Sequence, residues 1–386
     1  MYRIGKEEIE EITKVIESGY LFKKNSGALQ ETQNFEAEAC EKFGVKHTIL
    51  MTSGHAALTS ALVAMGIGPG DQVIIPAYTY IATAIAVIAA GAIPVIAEID
   101  ESLTLDPLDF EKKITKHTRA VIPVHIQGFP CDMDKICDIA KKSNVLVLED
   151  ACQADGASFK GRRLGSIGDA GAFSFNYYKI ISAGEGGALL TNDRNIFERA
   201  LIYHDSSAVA YFGNQLEGFT SDTFCGQEFR TNEITAAILR RQLEKLDGII
   251  SDLRKNKKYL MEKLAGKCSF IKSNDAEGDL GTTLALYFDT PEEAKRVASI
   301  LSATIPAKTK KHIYADWAPV LNKRGALHPL MDPFKMEANK DIIPNYTTDM
   351  CQRSLDILAR AVYIPINSDW TKEELDAQVS KVASAL

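Results

Sequence analysis

The chain has 386 residues, a formal net charge of −7, 46% apolar residues and 25% charged residues. That length suits two domains at roughly 150 residues each, the composition is that of a globular protein, and the mild acidity excludes a basic nucleic-acid footprint. Seven cysteines, at 40, 131, 137, 152, 225, 268 and 351, form no C-x-x-C pair, and the opening MYRIGKEEIEEITKVIESG is charged from the start rather than built as a secretory leader. A reduced, cytoplasmic protein is therefore expected.

In chain order, the first twenty residues carry a helical pattern with Ile9, Ile12, Val15 and Ile16 on one side. Residues 21–34 (LFKKNSGALQETQN) read as a polar loop, and FEAEACEKFG as a helix stopped by Gly44. From Lys46 the chain alternates. HTILM is a predicted strand, HAALTSALVAMG a helix, QVIIP a strand. The run Tyr80 to Ile99, YIATAIAVIAAGAIPVIAEI, approaches the length of a bilayer span. Gly91 and Pro94 interrupt it and it runs into Asp100 and Glu101, so a buried helix followed by a buried strand explains it better. LDPLDFEKKI predicts a helix with Asp106 as cap and Pro107 at its first position. RAVIPVHI, VLVLED, GAFSF and GALLT read as strands, and CDMDKICDIAKKS as a helix.

Repeated β-α-β order with continuous apolar strands predicts an α/β fold, with a mainly parallel sheet covered on both faces. After about residue 240 the pattern changes to a long amphipathic helix, the strands SFIK and LALYF, and a last helix TKEELDAQVSKVASAL capped by Thr371 with Glu374. The expected division is a large domain over 1–245 and a smaller α+β domain over 246–386.

Three features carry chemistry. Ser53-Gly54-His55 lies between a strand and a helix, where free N–H groups bind an anion; taken alone it is an ordinary turn. Asp150 ends a buried strand, where open α/β sheets bind ligands, although a helix cap would look the same. Lys179, in SFNYYKIISAGEGG, is a lone cation between an aromatic run and a glycine-rich turn. A desolvated lysine is a nucleophile, and a solvated one is merely surface. No Walker-type loop, dinucleotide fingerprint or zinc spacing is present in the sequence. His125 ends a strand and is a further candidate to face the site, against a structural role.

Together, an anion turn, a strand-end Asp and a Lys 29 residues later resemble the fold-type I pyridoxal-phosphate enzymes, and more closely the DegT/StrS sugar aminotransferase family. TSGHAALTSAL is similar to that family's phosphate loop. GPGDQVIIPAYTYIATA is similar to its ring-stacking segment, and EDACQADGASFKGRRLGSIGDAGAFSFNYYKIISAGEGGALLTND to its stretch from pyridine-binding Asp to Schiff-base Lys. The similarity runs from about residue 5 to the C-terminus and is weakest over 205–225 and 265–345.

The resemblance implies pyridoxal 5′-phosphate bound to Lys179 as a Schiff base. It implies Asp150 at the pyridine nitrogen, Tyr80 stacked on the ring and Gln153 at the ring hydroxyl. It also implies Gly54 and His55 N–H groups and the Ser174 hydroxyl on the phosphate. The implied activity is amino transfer from glutamate or glutamine to a keto or aldehyde sugar, in a homodimer with shared sites, with neither nucleic acid nor membrane as partner. The extended 21–34 loop and the ending RAVYIPINSDWTKEEL are similar to transaminases of eight-carbon sugar acids of the 8-amino-3,8-dideoxyoctulosonate type. Nucleotide-linked keto sugars and inosose cyclitols are the other acceptors.

Two departures stand out: His55 replaces the family's Thr, and GQEFR places Glu228 where the family has an Asn contributed to a neighbour's phosphate. Lys23, Lys24, Glu228, Arg230 and His312 are candidate substrate residues. A sugar dehydratase of the same family, which has His at the lysine's position, and a cofactor-binding regulator without turnover are the alternatives.

Overall fold

The computed structural model describes residues 2–23, 27, 29–209, 218 and 220–386. Its larger sheet has seven strands: β1 (His47–Met51), β2 (Gln72–Pro76), β3 (Ile93–Ala97), β4 (Thr118–Val121), β5 (Leu146–Asp150), β8 (Ala170–Ser174) and β9 (Gly187–Thr191). A small hairpin of β6 (Ser158–Phe159) and β7 (Arg162–Arg163) sits between β5 and β8. The spatial order is β1-β9-β8-β5-β4-β2-β3. β3, β2, β4, β5 and β8 run parallel, and β9 lies antiparallel between β8 and β1.

Side chains alternate across the sheet with period two. Leu50, Ile74, Val121, Val147 and Phe173 belong to one core, and Ile49, Val73, Ile75, Ala120, Leu148 and Ala172 to the other. Both faces are therefore dry, which is why these strands read as unbroken apolar runs. Helices α1 (Lys6–Ser18), α2 (Glu31–Phe43), α3 (Gly54–Ala64), α4 (Ala82–Ala89), α5 (Pro107–Lys113), α6 (Met133–Ser143) and α7 (Arg194–His204) surround it. A 32-residue helix, Glu233–Leu264, then leads to a second sheet of β10 (Ser269–Phe270), β11 (Thr283–Tyr287) and β12 (Ala361–Pro365). The closing helix Lys372–Ala385 carries the expected capping box of Thr371 and Glu374. The Tyr80–Ile99 run is α4 followed by β3, and no described helix is long and apolar enough to cross a membrane.

Three local expectations are corrected. The apolar stripe of α1 is packed only in part: Val15 is buried, but Ile9 and Ile16 are exposed and Glu8 and Glu11 are buried in their place. Glu8 is accommodated because Lys245 (2.6 Å) and Gln242 (2.7 Å) of the long helix donate to its carboxylate. Helix α2 begins at Glu31 rather than Phe35 because a distant carboxylate caps it: Glu233 accepts from Glu31 N–H (2.6 Å) and Thr32 N–H (3.1 Å). β4 stops at Val121, two residues before Pro123, which lacks the N–H needed to continue a ladder.

Candidate active site

The carboxyl ends of the parallel strands open onto a cleft of about 490 Å³. After β1 the chain turns through Ser53, whose side chain caps α3 by accepting from Ala56 N–H (3.0 Å). The first intrahelical bond is Ala57 N–H to Ser53 O (3.1 Å), so the Gly54 and His55 N–H groups lie ahead of the ladder at the positive end of the helix. Gly54 is required there: a Cβ would stand 2.7 Å from Cys152 Sγ and 2.9 Å from Ser174 Cβ. The His55 ring is largely dehydrated, its Nδ1 has no partner among the described residues, and burial lowers its basicity, so it is neutral at pH 7.

Asp150 closes β5 nearly buried. Thr83 donates its hydroxyl to Oδ2 (2.7 Å), and Cys152 N–H donates to Oδ1 (3.2 Å). Thr79 lies 2.7 Å behind Thr83, so α4 and β5 hold this carboxylate in one orientation. The adjacent Glu149 faces away into a dry clasp. It accepts from the N–H groups of Gly165 (2.9 Å), Ile167 (2.6 Å) and Gly168 (2.7 Å) and meets His125 Nε2 (3.1 Å). Cys131 N–H donates to the other His125 nitrogen (3.1 Å). His125 is thus a satisfied structural histidine beneath the site, not a residue facing it.

Lys179 sits on the β8–β9 connection, which is folded on itself by Phe175 N–H to Gly186 O (2.8 Å) and Tyr177 N–H to Gly184 O (3.0 Å). Gly184 (φ 84°) and Gly186 (φ 153°) supply left-handed backbone there. Half-buried, Lys179 lines the cleft with Asp150, Gln153, Ser174, Tyr80, Gly54 and His55. Gln153 Oε1 accepts from Gln127 N–H (3.1 Å), which leaves its NH2 end as the donor. Across the cleft, the Lys310–His312 turn docks on the α4 entry through Thr79 N–H to His312 O (2.9 Å) and Ile81 N–H to Lys311 O (2.9 Å). The His312 ring lies 5.5 Å from that of Tyr80, and Lys311 Nζ stands 5.4 Å from the same ring.

The substrate candidates fare differently. His312 reaches the cleft, but burial, with Lys311 nearby, lowers its pKa to about 4; it is neutral and does not anchor an anion by charge. Lys23 is corrected to a structural residue: it is 2% exposed and bonded to Glu36 (2.8 Å), Leu50 O (3.0 Å) and His204 Nε2 (3.3 Å). Lys24 lies outside the described residues. Glu228 and Arg230 do not line this chain's cleft; they pair with each other at 2.6 Å, and Arg230 also donates to Asp205 O (3.1 Å). Asp155, Gln127, Glu185 and Lys311 are among the lining residues that escaped the sequence reading. Asp155 lay inside the EDACQADGA motif and had a signal, a carboxylate amid small residues. Gln127 (φ 54°) and Lys311 had none, because a left-handed backbone and a contact across about 230 residues leave no local pattern.

The residue set fits a phosphorylated aromatic aldehyde. Two unspent helix-start N–H groups and a hydroxyl suit a phosphate, a fixed carboxylate suits a protonated ring nitrogen, and a tyrosine face suits the ring. An amine in the same cleft suits the carbonyl. The glycine that a Cβ would block keeps the anion turn open. Fold and residue set define a pyridoxal-phosphate transferase of fold type I.

The chain belongs to the DegT/DnrJ/EryC1/StrS aminotransferase family, whose model matches residues 2–383, and it depends on pyridoxal 5′-phosphate. It is 40% identical over 269 residues to the spore coat polysaccharide biosynthesis protein SpsC of Bacillus subtilis, a match covering 68% of this chain and 66% of that protein. The chain thus spans just under two thirds of the length of that relative, and a similar share of several others. It is 38% identical to the dTDP-3-amino-3,6-dideoxy-alpha-D-galactopyranose transaminase of Aneurinibacillus thermoaerophilus, over 82% of this chain and 85% of that one. The solved structure of S. venezuelae DesV in complex with a ketimine intermediate superposes with a TM-score of 0.75 at 29% identity, covering 98% of this chain and 94% of that one.

Proposed function

We propose that this chain is a sugar aminotransferase, with Lys179 as the covalent and proton-moving residue. The observation that carries this is the convergence of Lys179, Asp150 and the Gly54–His55 turn on one cleft. Bound pyridoxal phosphate supplies a carbonyl for the amino nitrogen and an electron sink for the substrate α-carbon. Asp150, oriented by Thr83, holds the ring nitrogen protonated. Gly54, His55 and Ser174 hold the phosphate, Tyr80 covers the ring and Gln153 meets its hydroxyl. The Lys179 amine, in the same cleft, would be the group that takes and returns the proton at the substrate carbon.

The amino donor is glutamate or glutamine, and the acceptor a keto carbon of a nucleotide-linked sugar, a reading supported by the named transaminase from Aneurinibacillus. An eight-carbon sugar acid is the competing acceptor. Lys179 rather than His at this position favours amino transfer over dehydration. We further read the chain as two units dividing near residue 245, inside the unbroken Glu233–Leu264 helix, and acting in the cytoplasm as a homodimer. In that dimer the paired Glu228 and Arg230 belong to the neighbouring subunit's site, where Arg230 offsets the carboxylate.

Adding glutamate to the purified yellow protein is expected to convert its absorbance to that of the amine form, and a screen of keto sugars against that form identifies the acceptor. No change with any amino acid would overturn the assignment in favour of a regulator. Lys179→Ala is expected to abolish covalent trapping by borohydride; trapping at another lysine would remove Lys179 from its role.

A further inference from the structure

Asp155 is a second carboxyl in the cleft, five residues beyond Asp150, and the mechanism above does not use it. It is 1% exposed, it lines the cleft with Lys179, and its Oδ1 has no hydrogen-bond partner among the described residues. Its position is rigid. Ala154 N–H to Ala151 O (2.8 Å) and Ala157 N–H to Ala154 O (2.9 Å) form successive turns around it. Gly156 (φ 84°) is wedged so that a Cβ would stand 2.7 Å from Ile250 and 2.9 Å from Leu246. The backbone that carries Asp155 is therefore held in place.

We propose that Asp155 is a positioning residue for Lys179: a carboxyl that keeps its proton while the cleft works and, on losing it, tightens the hold of Lys179 on its own proton. The proposal rests on the reading that Lys179 carries the cofactor. Ionised, Asp155 would leave a buried unpaired oxygen and set a second anion beside Asp150, both unfavourable. Burial accordingly pushes its carboxyl up to about 8, against the opposing effects of Lys179 and a backbone hydrogen bond from Ser174, with Asp150 adding to the rise. Other groups face it across the cleft. Cys152 stands at the end of β5, His55 on α3, Glu185 and Tyr178 on the Lys179 loop, Tyr80 at the α4 entry, and Lys311 and His312 opposite. Burial keeps the Cys152 thiol well above its usual range, and His55 and His312 are neutral, so none of these three replaces the charge of Asp155 near pH 8.

The consequence is a division of labour between two carboxyls with one charge between them. Asp150, held by Thr83 and the Cys152 N–H, is the carboxylate for the ring nitrogen. A neutral Asp155 lets the Lys179 nitrogen give up its proton, which nucleophilic attack on a carbonyl requires.

The test is a pH titration of cofactor absorbance in wild-type holoprotein and Asp155→Asn, with borohydride trapping in both to locate the bound lysine. With Lys179 trapped in both, the Asn variant is expected to release the chromophore proton about one pH unit lower, a roughly tenfold weaker hold. Superimposable titrations with Lys179 trapped would overturn the proposal and leave the Lys179 reading intact. Trapping at another lysine would overturn that reading, and the proposal with it. A second measurement needs no variant: in wild-type protein carrying carboxyl-labelled aspartate, one carbon is expected to titrate near pH 8. Titration of every aspartate in the ordinary carboxylate range would overturn the proposal.

Discussion

Gly187 opens β9, opposite Met51 of β1 on one side and Ser174 of β8 on the other. A Cβ there would stand 2.2 Å from Ser53 C, 2.4 Å from Ser53 O and 2.5 Å from Gly54 N, where ordinary contact begins at 3.4 Å. Gly187→Ala therefore demands a movement of about 1 Å between two backbones, and no rotamer can supply it. β9 is bonded on both edges, so the Ser53–His55 turn is the part that yields. Overpacking of this kind costs about 1–3 kcal/mol of stability. Misdirecting the two helix-start N–H groups forfeits a charge-assisted contact worth about 1.5–3 kcal/mol, or about a 10- to 100-fold loss of cofactor affinity. Absorbance titration of the apoprotein with pyridoxal phosphate measures the second quantity, and urea unfolding the first. Gly248→Ala is the control, since nothing lies within 4 Å of its Cβ position in mid-helix; it is expected to add about 1 kcal/mol of stability without changing affinity. Cofactor affinity in Gly187→Ala equal to wild type would refute the assignment of this turn as the phosphate site.

Asp150→Asn is expected to retain cofactor while losing most turnover, and near-normal turnover would place the ring-nitrogen partner elsewhere. Lys23→Met breaks a buried ion pair and is expected to cost about 3–5 kcal/mol in urea unfolding while leaving KM for both substrates unchanged; a raised KM with normal stability would return Lys23 to the substrate. In the apoprotein, the raised Asp155 carboxyl makes the folded state bind a proton that the unfolded chain releases near pH 4. Its contribution is full below that value and is lost as pH rises to about 8, up to roughly 5 kcal/mol. Wild type should thus lose stability relative to Asp155→Asn between about pH 4 and 8, and parallel stability profiles would contradict a buried neutral carboxyl.

Much of the cofactor cradle was legible because its parts are local. The Ser53-Gly54-His55 turn, the strand ending in Asp150 and the loop carrying Lys179 each occupy a few consecutive residues, and their order along the chain matches a family pattern. The parallel sheet was legible for the same reason, since a strand buried on both faces must be apolar throughout. The substrate side was less so. Lys23 and Arg230 look like solvated cations in sequence, yet one is buried against Glu36 and the other pairs with Glu228.

Short motifs and hydrophobic period were enough to read the family, the cofactor and the strand-and-helix order. The three-dimensional packing set which face of α1 is buried, that Glu233 starts α2 from about 200 residues away, and that the Lys310–His312 turn faces Tyr80. It also decided that Asp155 is enclosed beside Lys179. The physical reason is common to all four: burial and electrostatic environment depend on what the fold brings near, and those neighbours are distant along the chain.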